Sequence, residues 1–262
     1  MDALQQENCF FYIHIDKKFP LPVLHGDNIL ILNDRVDVHW GGFSQVEATL
    51  LLMQEAIKMP FDYAAFISGK DYPVKPNEWL QKKLETGGEY IHMNKMGTDP
   101  YAPLSRYKFY YYTDHYDRRN KRSIKTRFFL WFQKTLRRLK ISKPIPFQLY
   151  TGASWFVLSA ACIKFILHEV YTKPGIIDFF KSGFCPDESF FQTIIGNSAF
   201  AQNVKNCLTY ADWSVDPGPA IITENHFPVL QKLDDYFFAR KFDDNSKNIV
   251  AIIDEKLRIP LI

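Results

Sequence analysis

The chain has 262 residues, of which 47% are hydrophobic and 23% charged, and its formal net charge at pH 7 is +3. This length can bury a sizeable core, and the balance excludes global disorder and gives no sign of a dedicated nucleic-acid binder. Aromatics reach 16%, with 23 Phe and 14 Tyr, and a Phe-rich core is a simpler destination for them than sugar-stacking or interface roles.

In chain order, CFFYIHID (9–16) is a β-branched and aromatic run ending on an acid and predicts a buried strand. NILILN (28–33) predicts a second, short strand. From Ser44 to Lys58, apolar residues at helical spacing follow a serine that has Glu47 three positions on, which predicts a capping-box helix. YAAFIS (63–68) reads as a buried strand and GKDYPVKPN as the turn-rich loop after it. Glu78 to Leu84 reads as a short helix and EYIHMN (89–94) as strand-like. SWFVLS (154–159) reads as a strand leading into a helix from about Ala160 to Val170. Asp187 to Ile195 reads as a helix opening on two acids, favourable at its positive end. Helices alternating with buried strands predict an α/β layered sheet, whose ligand loops sit at the carboxyl ends of strands. Asp16 and the GKDYP loop fall at such ends.

Between Arg118 and Lys143 there are eleven Lys or Arg and no Asp or Glu, so the net charge of +3 becomes −8 without them. The protein reads as a single domain, 1–262, an acidic body with a basic insert at about 118–143. Within the insert, Ile124, Phe128, Trp131, Phe132, Leu136 and Leu139 share one helical face, with Lys and Arg on the other. Two readings stay open: a helix lying on an anionic membrane surface through 124–140, or a helix packed on the domain with its basic face solvated. Cys9, Cys162, Cys185 and Cys207 include no C-x-x-C pair, which argues against a zinc knuckle and fits a reducing compartment. The first residues, MDALQQENCF, lack a basic and an apolar signal region. The expected location is cytoplasmic, peripheral at the inner face of the membrane if the insert binds lipid.

Five stretches carry a family resemblance: YIHIDKK (12–18), WGGFS (40–44), FDYAAFISGKDYPVKPN (61–77), CPDESFFQT (185–193) and FFARKFD (237–243), with TGASWFVLS (151–159) between the third and fourth. Their order and wording resemble the core-2/I-branching β-1,6-N-acetylglucosaminyltransferases and peptide O-xylosyltransferases, glycosyltransferase family 14. The basic insert does not match and looks specific to a bacterial-type branch. The resemblance implies a GT-A-like (Rossmann-like) sheet flanked by helices. It also implies inverting transfer from a UDP-sugar to a glycan or lipid-linked glycan acceptor, with N-acetylglucosamine as the first donor sugar and xylose as the alternative. A catalytically inactive carbohydrate-binding or scaffold module is the competing reading, and no nucleic acid is expected as a partner.

Such a transfer needs a carboxylate to take the acceptor proton and positive charge to stabilise the departing diphosphate. Glu188 matches the family's glutamate and is the expected base, against a plain helix-opening role; Asp187 is left as the cap. No D-x-D tripeptide occurs, and the resemblance implies that cationic side chains take the place of a metal, so no metal or other cofactor is expected. Lys241 aligns with the family's diphosphate lysine, and Arg240 beside it is a second candidate. No Arg lies between Asn206 and Ala239 to match the family's other diphosphate cation, and the only Lys there is Lys232. Asp16 is expected at the uridine, or as a turn former. Asp71 is expected to orient the donor sugar, or to bond its own turn. Trp213 is expected at the acceptor, or in the core. Trp40 and Ser44 read as a buried ring and an N-cap, and Trp155 as core or pocket floor. No histidine reads as a metal ligand. Relatives usually carry a strand and helix before YIHID; either Met1 is an internal start in a longer reading frame, or this branch has lost the unit, which is expected to leave a strand edge open near the uridine pocket.

Overall fold

A computed structural model describes residues 1–97, 103–215 and 218–259. The chain runs through β1 (Phe11–Ile13), β2 (Ile29–Ile31), α1 (Ser44–Ala56), β3 (Tyr63–Phe66), β4 (Asp71–Pro73), α2 (Asn77–Glu85), β5 (Glu89–Ile91) and β6 (Asn94–Lys95). It continues with α3 (Ser105–Lys108), α4 (Ile124–Arg138), β7 (Tyr150–Thr151), β8 (Phe156–Ser159), α5 (Ala160–Thr172), α6 (Gly175–Lys181) and α7 (Phe190–Gly196). The last elements are β9 (Val204–Lys205), β10 (Thr209–Ala211), α8 (Phe227–Leu230), β11 (Phe238–Arg240) and α9 (Lys247–Lys256).

The centre is a four-stranded mixed sheet in the order β3-β8-β5-β9. Side chains alternate across it with the period of two that extended backbone imposes. Phe156, Leu158 and Ile91 enter a core with Val46, Leu50 and Met53 of α1, Ile163 and Ile166 of α5 and Phe190 and Ile194 of α7. Val157 and Tyr90 point the other way, onto Leu208, Phe237 and Phe238. That second layer belongs to a three-stranded sheet, β10-β11-β4, in which β10 and β11 run parallel and β4 antiparallel. Its far side meets Ile249 and Ile253 of α9 through Ala239 and Val74. The α/β architecture expected from the sequence is therefore present, as helix, sheet, sheet and helix layers, and much of the phenylalanine surplus fills the layers between them.

Several local expectations change. The first strand is shorter than CFFYIHID, is only half-buried, and pairs in parallel with β2, Phe11 opposite Ile29. GKDYP is not all turn, because Asp71–Pro73 adds to β11 as a strand. Asp187 and Glu188 lie in a 3₁₀ turn, Pro186–Glu188, and α7 begins only after Ser189. The expected capping box of α1 is absent, since Ser44 lies inside the first turn. Asp114 caps that helix instead: Phe43 N donates to its Oδ2 at 2.7 Å, and Ser44 N and Oγ donate to its Oδ1 at 3.1 and 2.6 Å. A Cβ on Gly42 would lie 2.0 Å from Asp114 Oδ1, so glycine makes room for the cap.

The basic insert forms α4 at the predicted position but docks by the opposite face. Thr126 Oγ1 donates to the Asp117 carbonyl at 2.9 Å, Gln133 Nε2 to the Tyr116 hydroxyl at 3.0 Å, and Phe129 stacks on Tyr116 with ring centroids 5.3 Å apart. Ile124, Phe128, Trp131 and Leu139 are exposed, and Phe132 and Leu136 half-buried. The helix is thus packed on the domain with Lys125, Arg127, Lys134 and Arg138 exposed, as one of the two readings expects, but Ile124, Phe128, Trp131 and Leu139 of the apolar stripe stay outside the contact. Among the described residues no helix is long and apolar enough to cross a membrane, and all four cysteines are free.

Replacing Asp114 with Ala leaves two N-terminal amides of α1 without their acceptor. Urea unfolding is expected to record a loss of about 1–2 kcal/mol, the usual range for a lost side-chain cap. Glu47→Ala, which removes no cap, is expected to stay within about 0.5 kcal/mol of the parent.

Candidate active site

The carboxyl ends of β3 and β5 and the amino end of β8 lie together, because Phe66 and Ile91 both pair with Phe156. The stretch TGASW (151–155) enters β8 at this edge. Gly152 passes so close to β5 that a Cβ would sit 1.7 Å from the His92 carbonyl oxygen. Only glycine fits there.

This stretch holds the Glu188 turn. Gly152 N donates to the Glu188 carbonyl at 2.8 Å and Thr151 Oγ1 donates to it at 3.2 Å. On the other side Cys185, in the left-handed region at φ 52°, donates from its N–H to the Gly41 carbonyl at 3.0 Å. The Glu188 side chain, 40% exposed, meets Arg106, whose Nη1 donates to Oε2 at 2.5 Å. Oε1 makes no hydrogen bond among the described residues. The carboxylate is thus fixed by one oxygen and open at the other. Arg106 went unnoticed in the sequence because it lies 82 positions from its partner.

Asp187 does not cap α7. Its Oδ2 accepts from Ser154 Oγ at 2.7 Å and from Gln45 Nε2 at 3.5 Å, which ties the turn to the 151–155 stretch and to α1. Oδ1 is buried without a partner among the described residues. Burial, reinforced by the Glu188 charge and opposed by the Ser154 hydrogen bond, pushes its carboxyl up to about 6.

At the far end of the stretch, the Arg240 guanidinium lies over the Trp155 ring, 3.5 Å from its centroid. Trp155 is thus a platform for a cation. Arg240 Nη1 donates to Asp71 Oδ1 at 2.8 Å, and the two residues face each other across β11 and β4. The Asp71 side chain is fully buried and also accepts from Ser68 N of its own turn. Burial raises its carboxyl, and Arg240 and Ser68 offset this in part. The Arg240 guanidinium is therefore held by Asp71 and Trp155, while its Nε is buried without a partner among the described residues.

Lys241 follows on the same edge, half-buried, and its ammonium has no partner among the described residues. Its backbone is held on both sides: Lys241 N donates to the Ala220 carbonyl at 3.3 Å, and Ile222 N to the Lys241 carbonyl at 2.8 Å. Ala220 N in turn donates to the Asp212 carbonyl at 2.7 Å, so the loop that carries Trp213 returns beside Lys241. Trp213 is 64% exposed, which overturns its core alternative.

Asp16 belongs to a different network. Burial would raise its carboxyl, but hydrogen bonds from Lys18 N at 3.0 Å, Lys18 Nζ and Val38 N at 3.4 Å outweigh this and hold it below the usual range. It ties the end of β1 to the 36–38 segment, which leads into Trp40. Trp40 is 47% exposed rather than buried, and packs edge-on against Phe184. Among the described residues no group of three or more His, Cys, Asp or Glu could hold a metal ion.

The structure therefore joins Glu188, Asp71, Arg240 and Lys241 along one edge, with Trp213 in the loop beside Lys241. The Gly152 and Trp155 Cα atoms that anchor the two ends are at most about 11 Å apart. The family model described as Core-2/I-Branching enzyme matches residues 1–232. The chain is 26% identical over 290 residues to rat xylosyltransferase 2 (Rattus norvegicus), a match covering 97% of this chain and 31% of that protein. Human xylosyltransferase 2 (Homo sapiens) gives the same figures. Rat xylosyltransferase 1 is 26% identical over 234 residues, covering 81% of this chain and 26% of its own length. The chain thus spans about a third or less of the length of the curated relatives it matches.

Raising the Asp187 carboxyl from its ordinary 3.8 to about 6 makes stability depend on pH. Below about pH 4 both folded and unfolded states hold the proton, and its contribution is fully present; as pH rises through about 6 the folded state must give it up and the contribution is lost. Relative to Asp187→Asn, the parent is expected to lose about 2 kcal/mol between pH 4 and pH 6 and only a few tenths more by about pH 7. Denaturant titrations at four pH values check this.

Proposed function

The chain belongs to the Core-2/I-branching enzyme family, glycosyltransferase family 14, and from that premise we propose that it is an inverting, metal-independent glycosyltransferase using a UDP-sugar donor. The observation that carries this reading is one stretch, residues 151–155, that holds the turn of an open carboxylate, Glu188, at one end and Arg240 over Trp155 at the other, with Lys241 next in the chain and its ammonium unpartnered among the described residues. N-acetylglucosamine is the first donor to test. Xylose is the second, favoured by the names of the curated relatives.

In the proposed step the acceptor hydroxyl oxygen attacks the anomeric carbon on the face opposite UDP. Its proton passes to Glu188 Oε1, while Arg106 keeps Oε2 in place. The bond from the anomeric carbon to the phosphate oxygen breaks, and its electron pair leaves with UDP. Lys241 meets the charge that develops on the diphosphate. Asp71 and Arg240 act from beneath, because a buried pair that is already matched gives the edge its shape rather than a free cation. Inversion of an α-linked donor sugar gives a β bond. Trp213 offers a flat apolar face to an acceptor sugar ring, and Asp16, whose two oxygens are held by Lys18 and Val38, is assigned to the nucleoside on the family resemblance alone. Metal independence rests on the missing D-x-D tripeptide and on the lysine at this edge.

The test is a transfer assay with UDP-N-acetylglucosamine and UDP-xylose over a panel of glycan acceptors, in chelator. Glu188→Gln keeps the shape and the hydrogen bond to Arg106 but removes the proton acceptor. Turnover is expected to fall about 10²- to 10⁴-fold with donor binding unchanged. Normal turnover by Glu188→Gln would sink the base assignment. Donor binding with no transfer to any acceptor by the parent chain would favour the inactive glycan-binding module.

A further inference from the structure

The outward face of α4 is the largest feature that the catalytic reading leaves unused. Ile124, Phe128 and Trp131 stand at helical spacings of four and three, so they form one stripe. They are 83%, 54% and 62% exposed. Leu139, 64% exposed, and Ile141, 43% exposed, continue apolar surface past the end of the helix. The helix is already anchored by its other face, through Thr126, Phe129 and Gln133, so most of this stripe's surface is left to solvent. Exposing large apolar side chains in a row marks an interaction surface.

The charges around the stripe say what covers it. Arg127, Lys134 and Arg138 line one flank and Lys125 the other, and all four are exposed. None makes an ion pair with a described residue. No acid lies between Arg118 and Lys143. A second copy of this face would bring like charges together, which disfavours self-association. A nucleic acid would meet a central row of apolar groups where base-reading polar groups are needed. A surface with negative charge outside and hydrocarbon beneath matches both parts, with Trp131 and Phe128 at the boundary and the long Lys and Arg stems reaching the headgroups.

We propose that α4 docks this chain on an anionic lipid bilayer. The segment that leads into α4 borders the candidate active site. Arg118 lies over the Phe184 ring at 4.3 Å, Arg119 over Trp40 at 5.5 Å, and Phe184 precedes the Cys185 turn that leads to Glu188. Docking would therefore hold the catalytic edge near the membrane plane, where a lipid-linked acceptor is presented.

The test is co-sedimentation of the 262-residue chain with vesicles of phosphatidylcholine alone or with about 30% phosphatidylglycerol, at low and high salt. Partitioning onto the anionic vesicles is expected to exceed that onto neutral ones by at least about tenfold and to fall with salt. Phe128→Ser with Trp131→Ser, and separately Lys134→Glu with Arg138→Glu, are each expected to lower it about tenfold or more. Circular dichroism and melting temperature should stay unchanged, since all four side chains point to solvent. No binding to anionic vesicles, equal binding to neutral ones, or binding that both variants leave intact would overturn the proposal. So would a concentration-dependent dimer abolished by the Phe128/Trp131 variant in a chain that ignores vesicles, which would assign the face to a second copy.

Discussion

Everything in the candidate active site depends on one close approach, that of Gly152 to β5. Its missing side chain lets the 151–155 stretch lie against the His92 carbonyl, and its N–H then reaches the Glu188 carbonyl at 2.8 Å. Three residues later the same stretch supplies Trp155 as the floor under Arg240. A glutamate in a short 3₁₀ turn would otherwise have little to fix it, because such a turn lacks the rigidity of a long helix. Here Gly41, Gly152 and Arg106 fix it from three directions. Positioning of this kind is worth more to a reaction than the chemical identity of any one group.

The site also separates its charges by burial. Asp71 and Arg240 are matched and enclosed, so neither offers a free charge to a ligand. Breaking such a pair by removing one partner would strand the other in low dielectric, which is costly. Glu188 and Lys241 keep access to solvent. Asp187 lies between the two conditions: its carboxyl is enclosed beside another carboxylate, and its proton is retained to about pH 6. The edge thus combines a scaffold of buried, paired groups with two groups left available.

Much of the layered core was legible from apolar periodicity. SWFVLS followed by a helix, the helix after Pro76, and the body of α7 all formed close to where the pattern puts them. What failed were contacts between distant parts of the chain. The Ser44–Glu47 spacing is a good local sign of a cap, yet Asp114 arrives from 70 positions away and displaces it. GKDYP reads as turn because its residues favour turns, but β11 offers an edge that draws Asp71–Pro73 into a sheet. Periodicity found the apolar stripe of α4 and could not say which side faces inward, since aromatic neighbours at 112, 115 and 116 accept Phe129 instead. The candidate residues themselves came from motif resemblance. The geometry added Arg106 and Ser154, whose roles carry no local signature, and put Arg240 on Trp155, which the sequence offers as core or pocket floor.

The central claim is that this edge receives a UDP-sugar through side-chain cations. Isothermal titration of the chain with UDP in EDTA, with GDP and CMP as controls and Lys241→Ala alongside, tests it most directly. The account predicts selective UDP binding without metal that weakens at least about tenfold in Lys241→Ala. UDP binding that requires a divalent cation, or that is indifferent to Lys241, would contradict it.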